Sequence, residues 1–235
     1  MMKYSGLSEK RREILQTIDK YGILTREQIL QRVQIAYKDM VYAVKALEEL
    51  GYIATYQLGR GYVHYITRAG SEYVGSINFG YVKSGQKTPN LATIEHDLLV
   101  NDCLLEDIAY IHNQLGDIPV KIVTERDQLA EIALTLDLRQ STASKKRARN
   151  RVPDYLLLFE NEGNKIINAY EVELSRKNKA SLKAKLLWYK DELQRKTYTN
   201  VWYVCQQESV KRHVETTAKQ VGLPVFFREL SARQP

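Results

Sequence analysis

The stretch PDYLLLFENEGNKIINAYEVELSRK, Pro153 to Lys177, decides the fold of the second half of this 235-residue chain. Asp154 opens an apolar run, Tyr155 to Phe159, too short and too uniformly apolar for a surface helix and therefore strand-like. Glu160 to Asn164, with Gly163, predicts a turn into a second run beginning at Ile166, so the whole reads as a β-hairpin. On the second strand Glu171 and Glu173 stand two residues apart. Side chains alternate along a strand, so both acids leave one face while Val172 and Leu174 enter the other. Three carboxylates, Asp154, Glu171 and Glu173, could then converge, with Lys177 just behind.

Crowded carboxylates repel one another and each loses hydration, so a fold keeps such a cluster only when a cation or a proton neutralises it. Hard oxygen donors suit Mg²⁺ or Mn²⁺, which retain waters and bind phosphate oxygens in their remaining positions. The ammonium of Lys177 could orient the attacking water or stabilise charge developing on phosphorus. The plain alternative is a solvated hairpin edge whose acids have no chemical role.

Composition sets the frame. Hydrophobic residues make up 44%, enough to bury a core, and no apolar run approaches the ~20 residues of a membrane-crossing helix, so membrane insertion is not expected. Met1 to Arg12 is polar and basic with no apolar segment of a secretory signal. Cys103 and Cys205 stand far apart, fitting neither a disulfide framework nor a zinc site, and a cytoplasmic location is expected. The net charge of +7 favours a polyanionic partner. Six basic residues and no acid occupy Arg139 to Arg151, RQSTASKKRARNR, so Lys145, Lys146, Arg147, Arg149 and Arg151 are candidate phosphate contacts, or else a solvated loop.

Residues 1–75 carry the periodicities of a winged helix-turn-helix. Ser8 is placed to cap a helix with Ile14, Leu15, Ile18 and Tyr21 on one face, ended by Gly22. Thr25 and Gln28 form a capping box for a short second helix. A third, Tyr37 to Leu50, is expected to bury Val41, Val44, Leu47 and Leu50 and to turn Tyr37, Lys38, Tyr42 and Lys45 outward to read a DNA groove. The β-rich Tyr52 to Ile66 folds about Gly59-Arg60-Gly61, a basic wing tip whose Arg60 could enter a minor groove. Winged helices also serve protein contacts, and an excess of only eleven Lys/Arg over eight Asp/Glu in this segment leaves that use open.

Residues 76–90, rich in Gly, Ser and polar residues, read as a linker, and 91–235 as a second domain. Its expected order is helix, strand, strand, strand, helix, strand, helix, strand: an α/β sandwich around a central mixed sheet. In the helix expected over Asn178 to Lys196, Lys179, Lys183 and Lys190 lie away from the apolar stripe Leu182, Leu186, Tyr189, Leu193; Lys179 and Lys183 are further candidate DNA contacts.

Pro153-Asp154 and Glu171-Val172-Glu173 on adjacent strands, within this element order, resemble the restriction-endonuclease-like PD-(D/E)xK nucleases. The lysine of that motif stands two residues after its acid, a place held here by Glu173, so it would come from Lys177 or Lys183. Across nearly the full chain, a winged helix ending in YITRAG, then EHDLLVND, PDYLLLF and EVELSRKNKASLKAKLLWY, the sequence resembles the replication-relaxation family and, within it, MobC-type plasmid relaxases. The resemblance implies a metal-dependent, site- and strand-specific endonuclease that nicks DNA at a plasmid's origin of transfer. Asp154, Glu171 and Glu173 would hold the metal and Lys177 would assist, with Glu95 or His96 as additions. Other relaxosome or coupling proteins would be partners.

Four histidines, none closely spaced, do not supply the histidine cluster used by most relaxases; sixteen tyrosines leave a tyrosine nucleophile open, but none has a neighbouring base in sequence, so metal-activated water is the simpler attack. No Walker-type phosphate loop is present. Two rival readings stand beside the nickase. One is a non-catalytic winged-helix regulator of plasmid replication or transcription with an inactive nuclease-like domain; the other is a nuclease of the same fold in host defence. A homodimer would bring two sites to two strands.

Overall fold

The computed structural model describes residues 6–76, 80–82, 86, 88–135 and 151–230. It is a mixed α/β protein that divides into two compact units, Met1–Asn101 and Asp102–Pro235. Of the basic run, only Arg151 lies within the described residues. Among them no helix is long and apolar enough to cross a membrane.

In the first unit, α1 (Glu9–Tyr21) buries Ile14, Leu15 and Ile18, and ends where the Gly22 N–H donates to Ile18 O at 2.8 Å. Ser8 occupies the N-cap but its side chain makes no capping bond, contrary to expectation. Strand β1 (Ile23–Thr25), too short to show a period, leads into α2 (Arg26–Leu30). The Thr25–Gln28 capping box is closed in both directions at 3.1 Å. The buried face of α3 (Tyr37–Glu49) is Met40, Ala43, Val44 and Leu47 rather than the expected stripe. Leu50 is 53% exposed, because it is the C-cap and the chain leaves the helix at Gly51, φ 72°.

Strands β2 (Ile53–Leu58) and β3 (Gly61–Ile66) pair antiparallel about a tight turn with Gly59 at φ 59°, and the sheet order is β1-β3-β2. Thr67 then caps α4 (Arg68–Tyr73), accepting from Gly70 N at 3.1 Å. A Cβ on Gly70 would lie 2.0 Å from the Tyr52 carbonyl oxygen and 2.7 Å from Ile66 Cδ1. Backbone cannot yield as a side-chain tip does, so Gly70→Ala is expected to destabilise this unit by about 3 kcal/mol, read as a lowered urea midpoint.

His64 on β3 is buried, its Nδ1 3.0 Å from Thr55 Oγ1 and its Nε2 without a partner among the described residues. Burial, then the charge of Arg26, hold its pKa down to about 4 against the pull of Glu27. In the unfolded chain the imidazole protonates near ~6.5. From there down to about 4 the unfolded state takes up a proton that the folded state refuses. Stability is therefore full above pH ~6.5 and falls on acidification, by roughly 3 kcal/mol in all; urea titrations between pH 7 and 4 on wild type and His64→Gln will isolate the loss.

Helix α5 (Leu91–Leu115) carries two buried stripes. Ile94 and Leu98 join Ile23, Val63 and Tyr65 in the first unit, where Asn101 Nδ2 donates to Ile23 O at 2.9 Å and Gln28 Nε2 to Leu98 O at 2.9 Å. Cys103, Asp107 and Ile111 are buried further along. The two units meet at Asn101, within α5, because packing of the helix's first turns assigns them to the first unit; the expected linker 76–90 lies partly outside the described residues.

The second unit has a five-stranded mixed sheet, order β4-β5-β6-β7-β8: β4 (Lys121–Thr124), β5 (Tyr155–Asn161) and β6 (Asn164–Glu173) antiparallel, then β7 (Asn200–Cys205) and β8 (Phe226–Glu229) parallel to β6. The hairpin turn is Glu162-Gly163, both at positive φ (50° and 75°), so β6 begins two residues before the expected Ile166. Helices α7 (Lys179–Gln194) and α8 (Glu208–Val221) bury Leu182, Leu186, Tyr189, Val214 and Ala218 with Ala169, Val201 and Tyr203 of the sheet. An additional helix, α6 (Glu125–Thr135), is unmarked by apolar period; its only buried residue is Gln128. Its signal is a capping box: Thr124 N donates to Asp127 Oδ2 at 2.9 Å and Asp127 N to Thr124 Oγ1 at 3.2 Å.

Candidate active site

The β5–β6 register sets the site. Tyr155 lies opposite Tyr170 and the Asp154 N–H donates to Tyr170 O at 3.0 Å, so continuing the ladder places Asp154 against Glu171 on one face. Asp154 Oδ2 accepts from the Val172 N–H at 2.7 Å. Glu171, fully buried, accepts from Lys185 Nζ at 2.6 Å and from the Tyr189 hydroxyl, both on α7. Glu173, 4% exposed, is bonded by Lys177 Nζ, which also stands 3.9 Å from Glu171. Two ammonium groups thus serve the two glutamates, and a backbone N–H serves Asp154.

Burial pushes the Glu173 carboxyl up to about 7, opposed by Lys177 and reinforced by Glu171 and Asp154. For Lys177 burial works against the charge, but Glu171, Glu173 and Asp154 outweigh it and raise its pKa. Tyr189 and Tyr203 are held firmly protonated, chiefly by burial and next by Glu171. The Tyr203 hydroxyl, opposite Glu171 in the parallel register, has no partner among the described residues.

The lysine that joins Lys177 is Lys185, not the expected Lys183, which is exposed. Its signal was present: Leu182, Lys185, Leu186 and Tyr189 follow a helical period, so Lys185 shares the buried stripe. Glu95 is exposed and His96 Nδ1 pairs with Asp97 Oδ1 at 3.1 Å; both belong to the first unit, whereas the carboxylates lie in the second. Of the expected DNA contacts, Tyr37 and Tyr42 are 55% and 60% exposed, Lys38, Arg60, Arg151 and Lys179 are exposed, and Lys45 stands 4.0 Å from Glu49. Lys145, Lys146, Arg147 and Arg149 lie outside the described residues.

A cleft of about 710 Å³ that Lys177 helps to line is bounded also by Arg176, Lys179, Arg212, His213 and one acid, Glu208, which accepts from Arg212 Nε at 3.1 Å. His213 Nε2 is 3.2 Å from Lys177 O, tying α8 to the segment that carries the lysine. Among the described residues no three acid, histidine or cysteine side chains form a group able to hold a metal ion. The donor chemistry is nevertheless that of a hard divalent cation, and the ammonium of Lys177 stands between the two glutamates that such an ion would neutralise. Metal capture would require that ammonium to withdraw.

No family model matches the chain, and no curated protein matches it. Among solved structures, a similarity is found to "Structure of TrmBL2, an archaeal chromatin protein, shows a novel mode of DNA binding", at 11% identity and a TM-score of 0.26, covering 99% of this chain and 75% of that one. At that TM-score the likeness carries no argument about fold or function.

Proposed function

We propose that the chain is a metal-dependent DNA endonuclease, of the kind that nicks a plasmid's origin of transfer to begin mobilisation. The observation that carries this reading is the Lys177 ammonium held by Glu171 and Glu173, with Asp154 opposite Glu171 on the adjoining strand. In this reading the first unit is a winged helix-turn-helix that docks on duplex DNA through Tyr37, Lys38, Tyr42 and Lys45 of α3 and Arg60 of the hairpin tip. The second is a restriction-endonuclease-like nuclease domain.

Asp154, Glu171 and Glu173 would hold Mg²⁺ or Mn²⁺, which when bound supplies a polarised water and neutralises charge on the scissile phosphate. Lys185 and Tyr189 position Glu171 by fixing both its oxygens. Arg176 and Lys179 give the adjoining cleft positive charge for a phosphodiester backbone, while Arg212 there is paired with Glu208. Lys177 is free to pair with phosphate once the carboxylates are served by metal.

The rival reading, a non-catalytic DNA-binding regulator, is favoured by one observation: Glu171 and Glu173 already have ammonium partners, which offset their charge without metal. The two separate on supercoiled plasmid carrying the cognate origin, incubated with Mn²⁺. The wild type is expected to convert it to the open circle. Asp154→Ala and Glu173→Ala should be slower by on the order of 10²–10³-fold. Relaxation by either variant at the wild-type rate overturns the enzymatic reading.

A further inference from the structure

The sheet face turned away from the carboxylates carries a second, unrelated arrangement. Tyr155, Tyr170, Trp202 and Phe226, one from each of β5 to β8, form a continuous stack with centroid separations of 4.7, 6.1 and 4.9 Å. One register step along, Asn168 lies opposite Asn200 as Tyr170 lies opposite Trp202, and Asn200 Nδ2 donates to Asn168 Oδ1 at 2.9 Å. These four side chains line a cleft of about 650 Å³, within the ~300–1,000 Å³ of small-molecule sites. Two rings and two amides therefore meet in one cavity.

Its polar groups are incompletely satisfied. Trp202 Nε1 is buried with no acceptor among the described residues, and Asn168 Nδ2 reaches only Tyr170 Oη, at 3.5 Å. The ions at the wall are already matched: Arg228 Nε pairs with Asp107 Oδ1 and its NH1 with Glu106 Oε2, each at 2.7 Å. Among the described residues the one cation lining the cleft, Arg228, is engaged by these carboxylates, which favours an uncharged ligand over a phosphate. The ring faces of Tyr170 and Trp202 are taken up in the stack, so what fits is a flat, uncharged heterocycle that packs against the ring edges and both accepts and donates at its own edge.

From this geometry we infer that the cleft between the Tyr170–Trp202 stack and the Asn168–Asn200 pair is a binding site for a nucleobase. The site is on the opposite sheet face from Glu171 and does not rest on the nuclease reading. Trp202 N–H gives the base an acceptor-seeking donor, the amides read its donor–acceptor edge, and Tyr110 of α5, 56% exposed, forms the rim.

The chain has two tryptophans, and Trp188 packs on Tyr189 and Tyr198 in the other core, so the full-length Trp188→Phe protein reports on Trp202 alone. Titration with adenosine, guanosine, cytidine and thymidine, without metal, is expected to quench Trp202 fluorescence saturably for at least one nucleoside, with Kd of roughly 10–500 µM. Asn168→Ala in that background should weaken binding at least tenfold. Tyr110→Ala, at an exposed position that leaves folding intact, should weaken it about threefold, and Lys177→Met should leave it unchanged. Deoxyribose 5-phosphate should not quench. Absence of saturable quenching by all four nucleosides overturns the assignment; so does equal quenching by toluene, which would mark an apolar cleft only, or binding indifferent to both Asn168→Ala and Tyr110→Ala.

Discussion

Glu171→Ala is expected to lower the unfolding free energy of the second unit by roughly 3–5 kcal/mol, the range for breaking a buried charge pair from one side. Glu171 has no exposed surface and receives Lys185 at 2.6 Å together with the Tyr189 hydroxyl. Its removal leaves an ammonium whose other acceptor among the described residues, Val152 O, is 3.5 Å away, and a phenol buried without its partner. Glu171→Gln keeps the volume and one acceptor oxygen, so its loss should be about half as large. Removing charge from both sides should restore stability, because an apolar pair of similar volume needs no hydration. The double variant Glu171→Leu, Lys185→Met is thus expected to be closer to wild type than Glu171→Ala is. Urea unfolding followed by tryptophan fluorescence measures all three, and a Glu171→Ala loss below about 1 kcal/mol would contradict the buried network.

Lys177→Met separates ammonium from metal at the same carboxylates. Lys177 Nζ is bonded to Glu173 and stands 3.9 Å from Glu171, so any divalent cation drawn to this pair must compete with it. Its side chain is 42% exposed, which lets it swing away without unfolding the sheet and weakens its hold through solvent screening. Calorimetric Mn²⁺ titration should show tighter uptake in Lys177→Met than in wild type, by about tenfold, equivalent to ~1.4 kcal/mol. Plasmid relaxation should move the opposite way, slower by roughly 10²-fold, through loss of a cation beside the phosphate. Tighter metal with slower cleavage is the signature of a lysine that guards the carboxylates and then serves the reaction. Weaker Mn²⁺ uptake, or none in either protein, would make Lys177 a structural counter-ion and favour the DNA-binding regulator.

The hairpin was legible because its signals are local. A short apolar run, a glycine turn and acids two residues apart specify strands and a shared face without reference to the rest of the molecule. The Thr25–Gln28 capping box and the Gly22 stop were readable for the same reason. Where an element depended on what it packs against, sequence pattern gave less. The buried face of α3 differs from the expected stripe because Leu50 leaves the helix with Gly51, and α6 carries too few apolar residues to show a period. Glu95 and His96 share a helix with residues of the second unit, yet its first turns belong to the first.

The alternation of side chains along β6 determined, from the residues alone, that Glu171 and Glu173 share a face and that the hairpin brings Asp154 to the neighbouring strand. Only the tertiary structure decided which cations meet them, since Lys185 and Tyr189 arrive on a helix fourteen and eighteen residues downstream of Glu171. It alone also set Asn168 and Tyr170 against Asn200 and Trp202, thirty-two residues away in the chain. Periodicity is a property of short segments and survives in any fold, whereas the partner of a buried charge is fixed by which elements pack together.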